Sequence, residues 1–342
     1  MWTRPRDLVV LADVKLCIPP LRLVIQSGLS LSLCWTLIAT VSAAEPGTIL
    51  LRQEIREGYI AVTGGRVWFR ITGAGKPGVP LLALHGGPGG TSDTLSALEP
   101  LADERPLVVY DQLGCGLSDQ PAGNSLYTVE HYVEELAQVR AALGLTQIHL
   151  LGHSWGTMLA VDYVLTKKPD GILSLVLSGP CLSIRRWTAD QKAYLAQMPR
   201  QLQEVVARTE AAGTYNSAEY AAAIKEYYGI HLARINGRRF AARGEAIGVA
   251  AYEFMWGPSE FDCTGTLRTY ERADRLAEIR LPTLFACGQY DEATPESTAY
   301  YQSKLPGAQL KVFSGASHMT YLEKPEEYCS TVRLFLRQVE AK

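Results

Sequence analysis

Gly152-His153-Ser154-Trp155-Gly156 sets a serine between two glycines, a spacing that lets a tight turn raise a hydroxyl as a nucleophile. By composition the pattern G-x-S-x-G arises by chance about 0.15 times in such a chain, so its context carries the weight. Ile148 to Leu151 ahead of it reads as a buried strand, and Met158 to Lys167 behind it as a helix. A serine hydroxyl needs a base to take its proton. Only two histidines follow Ser154. His318 lies in Ser314-Gly315-Ala316-Ser317-His318, just past the last predicted strand, whereas His231 falls inside a helical pattern and reads as a packing or surface residue. The acid that orients the base belongs after the preceding strand, where Gly288-Gln289-Tyr290-Asp291 supplies Asp291. Asp262 and Asp274 are the rivals, and neither directly follows a strand.

Acyl transfer also needs donors for a developing oxyanion. His85-Gly86-Gly87-Pro88-Gly89-Gly90 follows the strand pattern Pro80 to Leu84, and lacks the Lys and Ser/Thr that a phosphate loop would require. The amides of Gly87 and Trp155 are the expected oxyanion donors. Asp111-Gln112-Leu113-Gly114-Cys115-Gly116-Leu117-Ser118 reads as a loop that braces them.

These groups need a frame. Thr48 to Val67 alternates polar and apolar residues around Gly64-Gly65, predicting an antiparallel hairpin. Short apolar runs follow at Pro80–Leu84, Pro106–Tyr110, Ile148–Leu151, Leu173–Leu177, Thr283–Ala286 and Gln309–Phe313. Uninterrupted runs this short fit strands buried on both faces. Helical patterns at Thr128–Leu143, Met158–Lys167 and Glu326–Val339 lie among them, so the fold class is α/β, a mostly parallel, doubly wound sheet. From 182 to 276 the strand rhythm stops and the pattern is helical, as in Ala189–Ala212 and Ser217–Ala233. That stretch is expected to be an inserted cap between two parts of one core, 44–181 and 277–342. Five tyrosines between Tyr194 and Tyr228 either line an apolar pocket or pack the cap, and packing is the reading adopted.

The 342 residues are 47% hydrophobic and 20% charged, with mean hydropathy near zero, which excludes disordered and collagen-like classes. A net charge of −2 offers no footprint for nucleic acid. Arg4, Arg6, Lys15 and Arg22 precede an uncharged stretch from Ile25 to Ala44, and Val41-Ser42-Ala43 offers a small-residue cleavage site. Residues 1–43 are read as an export signal, implying a secreted or periplasmic protein. A retained membrane anchor and a misplaced start on a cytosolic chain are the alternatives. Five cysteines lie beyond the leader (Cys115, Cys181, Cys263, Cys287 and Cys329), widely spaced and without a CxxC pair. They read as small buried residues rather than a metal site or a disulfide framework.

Taken together, HGGPGG (85–90), DQLGCGLS (111–118), GHSWGT (152–157), YEFMWGPSEF (252–261), GQYDEATP (288–295) and SHMTYLEKPEEY (317–328) resemble the proline iminopeptidases among the α/β-hydrolase serine peptidases. The order serine, acid, histidine is that of the α/β-hydrolases. Within the family the chain looks closest to the branch of the tricorn-interacting aminopeptidase and bacterial amino-acid amidases. The resemblance implies removal of an amino-terminal residue, often proline, from a small peptide or aminoacyl amide, with no metal or organic cofactor. It further implies that Glu260, Glu292 and Tyr252 hold the substrate's free amine, with Glu253 a fourth candidate. Gly156-Thr157 departs from the second glycine that many relatives carry there.

Other chemistries on the same frame remain in view. An amino-acid amidase or an esterase would use the same apparatus. Epoxide hydrolases and haloalkane dehalogenases normally carry an aspartate in place of Ser154, and a non-catalytic receptor would leave Ser154 unreactive.

Overall fold

The computed structural model describes residues 54–235 and 248–342. The export-signal reading, the apolar stretch from Ile25 and the first residues of the expected hairpin lie outside the described residues. Among those described, no helix is long and apolar enough to cross a membrane.

Alternating side chains at the start of the described chain form an antiparallel hairpin, β1 (Ile55–Val62) and β2 (Gly65–Thr72), turning at Gly64, where φ is +93°. The second strand runs five residues beyond Val67, because Phe69 to Thr72 pair with the edge of the main sheet. The apolar runs become β3 (Leu81–Leu84), β4 (Leu107–Tyr110), β5 (Ile148–His153), β6 (Ile172–Ser178), β7 (Thr283–Gly288) and β8 (Gln309–Phe313). The eight strands form one sheet in the order β1-β2-β4-β3-β5-β6-β7-β8, parallel from β4 to β8.

The apolar runs of β3 and β4, and of β5 apart from His149, follow from burial on both faces. At the sheet edge β8 is mostly exposed and buries only Phe313, against the expectation for that run. Leu82, Leu84, Val108, Tyr110 and Leu150 point into one core, which they share with α1 (Val129–Ala142) and α2 (Trp155–Asp162). Leu81, Ala83, Leu107, Val109 and Leu151 point into the other. The opposite core is closed by the carboxyl-terminal helix, whose Tyr328, Val332, Phe335 and Leu336 recur at helical spacing.

Between β6 and β7 the chain leaves the sheet to form α3 (Ile184–Leu195), α4 (Arg200–Ala212), α5 (Ala218–His231) and α6 (Val249–Met255). Ser183 and Ser217 cap α3 and α5 by accepting the amides of Arg186 and Tyr220. The single helix expected over Ala189–Ala212 is two, because Pro199 separates them. After the insertion the chain rejoins the same sheet, β7 pairing beside β6. Beyond β7 come α7 (Pro295–Lys304), the short α8 (Thr320–Glu323) and α9 (Pro325–Glu340).

The candidate active site

Parallel strands bring their carboxyl ends to one edge, and every loop singled out in the sequence leaves from that edge. Ser154 follows β5 with φ +54° and ψ −122°, one of two described non-glycine residues at positive φ. Such a conformation is strained for an L-residue and is held by its surroundings. A Cβ at Gly152 would lie 2.2 Å from the Gly156 carbonyl, and one at Gly156 would lie 2.5 Å from that of Leu84. Both glycines are therefore required by backbone contact. The helix begins at Trp155, three residues earlier than its pattern suggested, and its last turn widens at Tyr163–Lys167. The Trp155 amide, first in the helix, has no acceptor within it. Thr157 donates its hydroxyl to the Ser154 carbonyl (2.6 Å) and accepts the Cys181 amide, tying the turn to the loop after β6.

His318 and Asp291 converge from separate loops. His318 Nδ1 donates to Asp291 Oδ1 at 2.7 Å, and both side chains are buried. Amides of Ala293 and Gly288 donate to the two oxygens of Asp291, fixing its orientation. The rivals fall elsewhere: Asp262 is half exposed and faces Lys192, and Asp274 is exposed on a short 3-10 helix, Ala273–Glu278. His231 is a packing residue, stacked on Tyr194, with Nδ1 2.9 Å from the Tyr290 carbonyl. Its own carbonyl accepts the His318 amide, so α5 is pinned to the histidine loop.

The glycine-rich loop is braced as expected. His85 accepts the Gln112 amide at Nε2 and donates from Nδ1 to the Gly86 carbonyl, while Gln112 Oε1 accepts Trp155 Nε1–H. Asp111 accepts from the Ser92 amide and hydroxyl and from the Leu117 amide. Gly87 has φ +121°, and a Cβ there would lie 2.5 Å from the amide nitrogens of Gly89 and Gly90.

Ser154, His318, Gly87 and Trp155 open onto a cavity of about 230 Å³, walled by Met158, Trp187, Trp256 and Leu267. Glu260, Glu292 and Tyr252 line the same cavity. Glu260 Oε2 accepts hydroxyls from both Tyr252 (3.0 Å) and Tyr228. Burial pushes the Glu260 carboxyl pKa up, against the pull of those two hydroxyls. Glu292 is buried with Oε1 3.3 Å from His318 Nε2, and its Oε2 is buried without a partner. Burial also raises the Glu292 carboxyl, the imidazole beside it being the one opposing influence. For His318, burial would lower the pKa, but the carboxylates of Glu292 and Asp291 outweigh it and hold the imidazole above its usual range.

Two expectations need correction. Glu253 is exposed and lies outside the cavity. Tyr252 on α6 and Trp256 at its carboxyl end are four residues apart and both line the cavity, whereas Glu253 is turned about 100° from Tyr252. Most of the five tyrosines do pack the inserted helices, Tyr220 and Tyr227 being buried, but Tyr228 reaches the cavity and Glu260.

Some contributors carried no clear signal in the sequence. Gly179, after β6, has φ +56°, and a Cβ there would lie 2.7 Å from His318 Cε1 and Nδ1. The single hint was a glycine closing an apolar run. His153 packs its ring 4.6 Å from that of His318, and burial holds its pKa well below the usual histidine range, leaving it neutral. All five described cysteines are buried, and no described group of side chains is arranged to hold a metal.

Comparison with known proteins places this geometry among relatives. A family profile for the α/β hydrolase fold matches residues 79–325. The proline iminopeptidase of Heyndrickxia coagulans is 45% identical over 287 residues, 83% of this chain and 99% of that one. The crystal structure of the Mycobacterium smegmatis proline iminopeptidase superposes with a TM-score of 0.77 at 33% identity, covering 84% of this chain and 99% of the other. That of VinJ gives 0.78 at 34% identity, covering 83% and 99%.

Proposed function

This chain belongs to the proline iminopeptidase family of the α/β-hydrolase fold, and on that premise we propose that it is a serine aminopeptidase releasing an amino-terminal residue, preferentially proline. The observation that carries the reading is the acidic recess beside the serine. Glu260 and Glu292 face a small apolar-walled cavity, and one oxygen of Glu292 is buried without a partner. A buried carboxylate needs a compensating cation or donor, and the substrate's ammonium supplies both. At about 230 Å³ the cavity falls below the roughly 300 Å³ at which most ligand pockets begin. It suits one small residue rather than a stretch of peptide.

In this reading His318 takes the Ser154 proton, and Oγ attacks the carbonyl of the terminal residue. The amides of Gly87 and Trp155 receive the oxyanion, and Asp291 holds the imidazole through Nδ1. His318 then gives its proton to the leaving amine, and water cleaves the acyl-enzyme. The helices between 182 and 276 act as a cap whose Glu260 and Tyr252 close the recess. Tyr228 joins them by donating to the same carboxylate oxygen.

A panel of proline and other aminoacyl p-nitroanilides, with amino-acetylated controls, tests the assignment. Free-amine prolyl substrates should lead in kcat/KM, and Ser154→Ala should lose at least about 10³-fold. Equal turnover of acetylated and free substrates refutes the recess as an amine site. Residues 1–43, with four basic residues ahead of an uncharged stretch, are proposed as an export signal. Amino-terminal sequencing of the expressed protein should then begin near Ala44, and an intact Met1 in an exported or cytosolic fraction would refute it.

A further inference from the structure

In a Ser-His-Asp arrangement the imidazole nitrogen facing the serine must be free to accept a proton. Here that nitrogen, His318 Nε2, lies 3.3 Å from Glu292 Oε1, while Nδ1 is occupied by Asp291 at 2.7 Å. Ser154 Oγ makes no hydrogen bond among the described residues. Negative charge beside both nitrogens favours the doubly protonated imidazole over the neutral one, and an imidazolium is no base. The remaining groups around the ring do not alter this. Glu260 across the cavity adds negative charge, His153 is buried and neutral, and Trp187 packs edge-on at 5.9 Å between centroids.

We propose that Glu292 is a latch on the general base: it holds His318 protonated in the empty enzyme and releases it when a substrate amine takes the carboxylate. This rests on the aminopeptidase reading for the identity of the releasing group and extends it. An incoming ammonium brings one positive charge to Glu292 and Glu260. The imidazolium then gives its Nε2 proton to solvent, so the charge of the site is conserved and one proton is released. His318 is left neutral, with Nδ1–H on Asp291 and Nε2 open to Ser154. Recognition of the amine and activation of the nucleophile become one event, so a bound molecule without an amine would leave the serine largely inactive. Glu292 Oε2, buried without a partner, leaves the carboxylate with acceptor capacity to spare for the ammonium.

The test uses p-nitrophenyl acetate, an acyl donor without an amine, with the full-length enzyme. For the wild type, kcat/KM should rise with pH through an apparent pKa well above 7. Glu292→Gln should move that limb at least one unit toward acid and raise ester hydrolysis at pH 7 at least about tenfold, while prolyl p-nitroanilide hydrolysis falls. An ester profile that does not move, or a variant slower at pH 7 with an unchanged melting temperature, overturns the latch. If the variant does not fold, the wild type decides by calorimetry with pyrrolidinium chloride in two buffers of different ionisation enthalpy. Release approaching one proton per site supports the latch, and binding without release overturns it. Because the ester needs no amine site, failure of the proline reading shows as poor prolyl hydrolysis with the ester shift intact.

Discussion

Gly179→Ala should impair catalysis far more than folding. The added Cβ would lie 2.7 Å from His318 Cε1 and Nδ1, whereas ordinary contacts begin near 3.4 Å, a deficit of 0.7 Å. The glycine cannot retreat easily, because its amide donates to the Ala286 carbonyl at 2.8 Å. The imidazole must therefore recede, and any movement along that line disturbs its 2.7 Å bond to Asp291. Misplacing a reacting group by about 1 Å costs on the order of 10²-fold, so kcat should fall about 10- to 100-fold with a smaller change in KM. Alanine at φ +56° adds about 1–2 kcal/mol of backbone strain, and in a chain of this size that lowers the melting temperature by only a few degrees. Steady-state kinetics on a prolyl p-nitroanilide, paired with thermal melting, reads both effects. A kcat within twofold of wild type would refute the inference that Gly179 makes room for the base. A collapse in melting temperature with normal kcat per folded molecule would refute it equally.

Glu260→Gln should lower kcat/KM for free-amine substrates about 10- to 100-fold, the range of a lost charge-assisted contact, and leave p-nitrophenyl acetate hydrolysis within a few-fold. Tyr228→Phe and Tyr252→Phe should each have a smaller effect of the same kind, and equal losses on ester and amine substrates would argue against an amine recess. Away from the site, burial raises the Glu135 carboxyl to about 8 against the donated Leu113 amide, so the folded protein keeps a proton that the unfolded chain releases near 4.5. Between those values the folded state binds more protons, and stability falls as pH rises. Glu135→Gln should flatten that decline by up to a few kcal/mol in urea titrations at pH 5 and pH 8, and an unchanged slope would refute the assignment.

The candidate site was legible in the sequence because its residues are carried by short local patterns. A strand, a tight glycine turn and a helix are decided within about fifteen residues, so Ser154 and its elbow could be read directly. His318 and Asp291 could be read because each lies in the loop that follows a predicted strand, Gln309–Phe313 and Thr283–Ala286 respectively. The same local logic placed the eight strands, missing mainly the far end of β2, whose length is set by a partner strand distant along the chain. It merged α3 with α4 because helical periodicity outweighed one proline.

What only the tertiary structure decided is which side chains share a cavity. Glu253 and Tyr252 are adjacent in sequence, yet about 100° of helical rotation sends one to solvent and the other to the recess. Tyr228 belongs to the cavity although its neighbours pack the inserted helices, a distinction set by how α5 lies over the sheet edge. Gly179 matters only because His318, 139 residues away, folds against it. The contact between Glu292 and His318 likewise depends on two loops meeting at one sheet edge. Backbone turns and strands are governed by neighbours along the chain, whereas cavities and charge pairs are governed by neighbours in space.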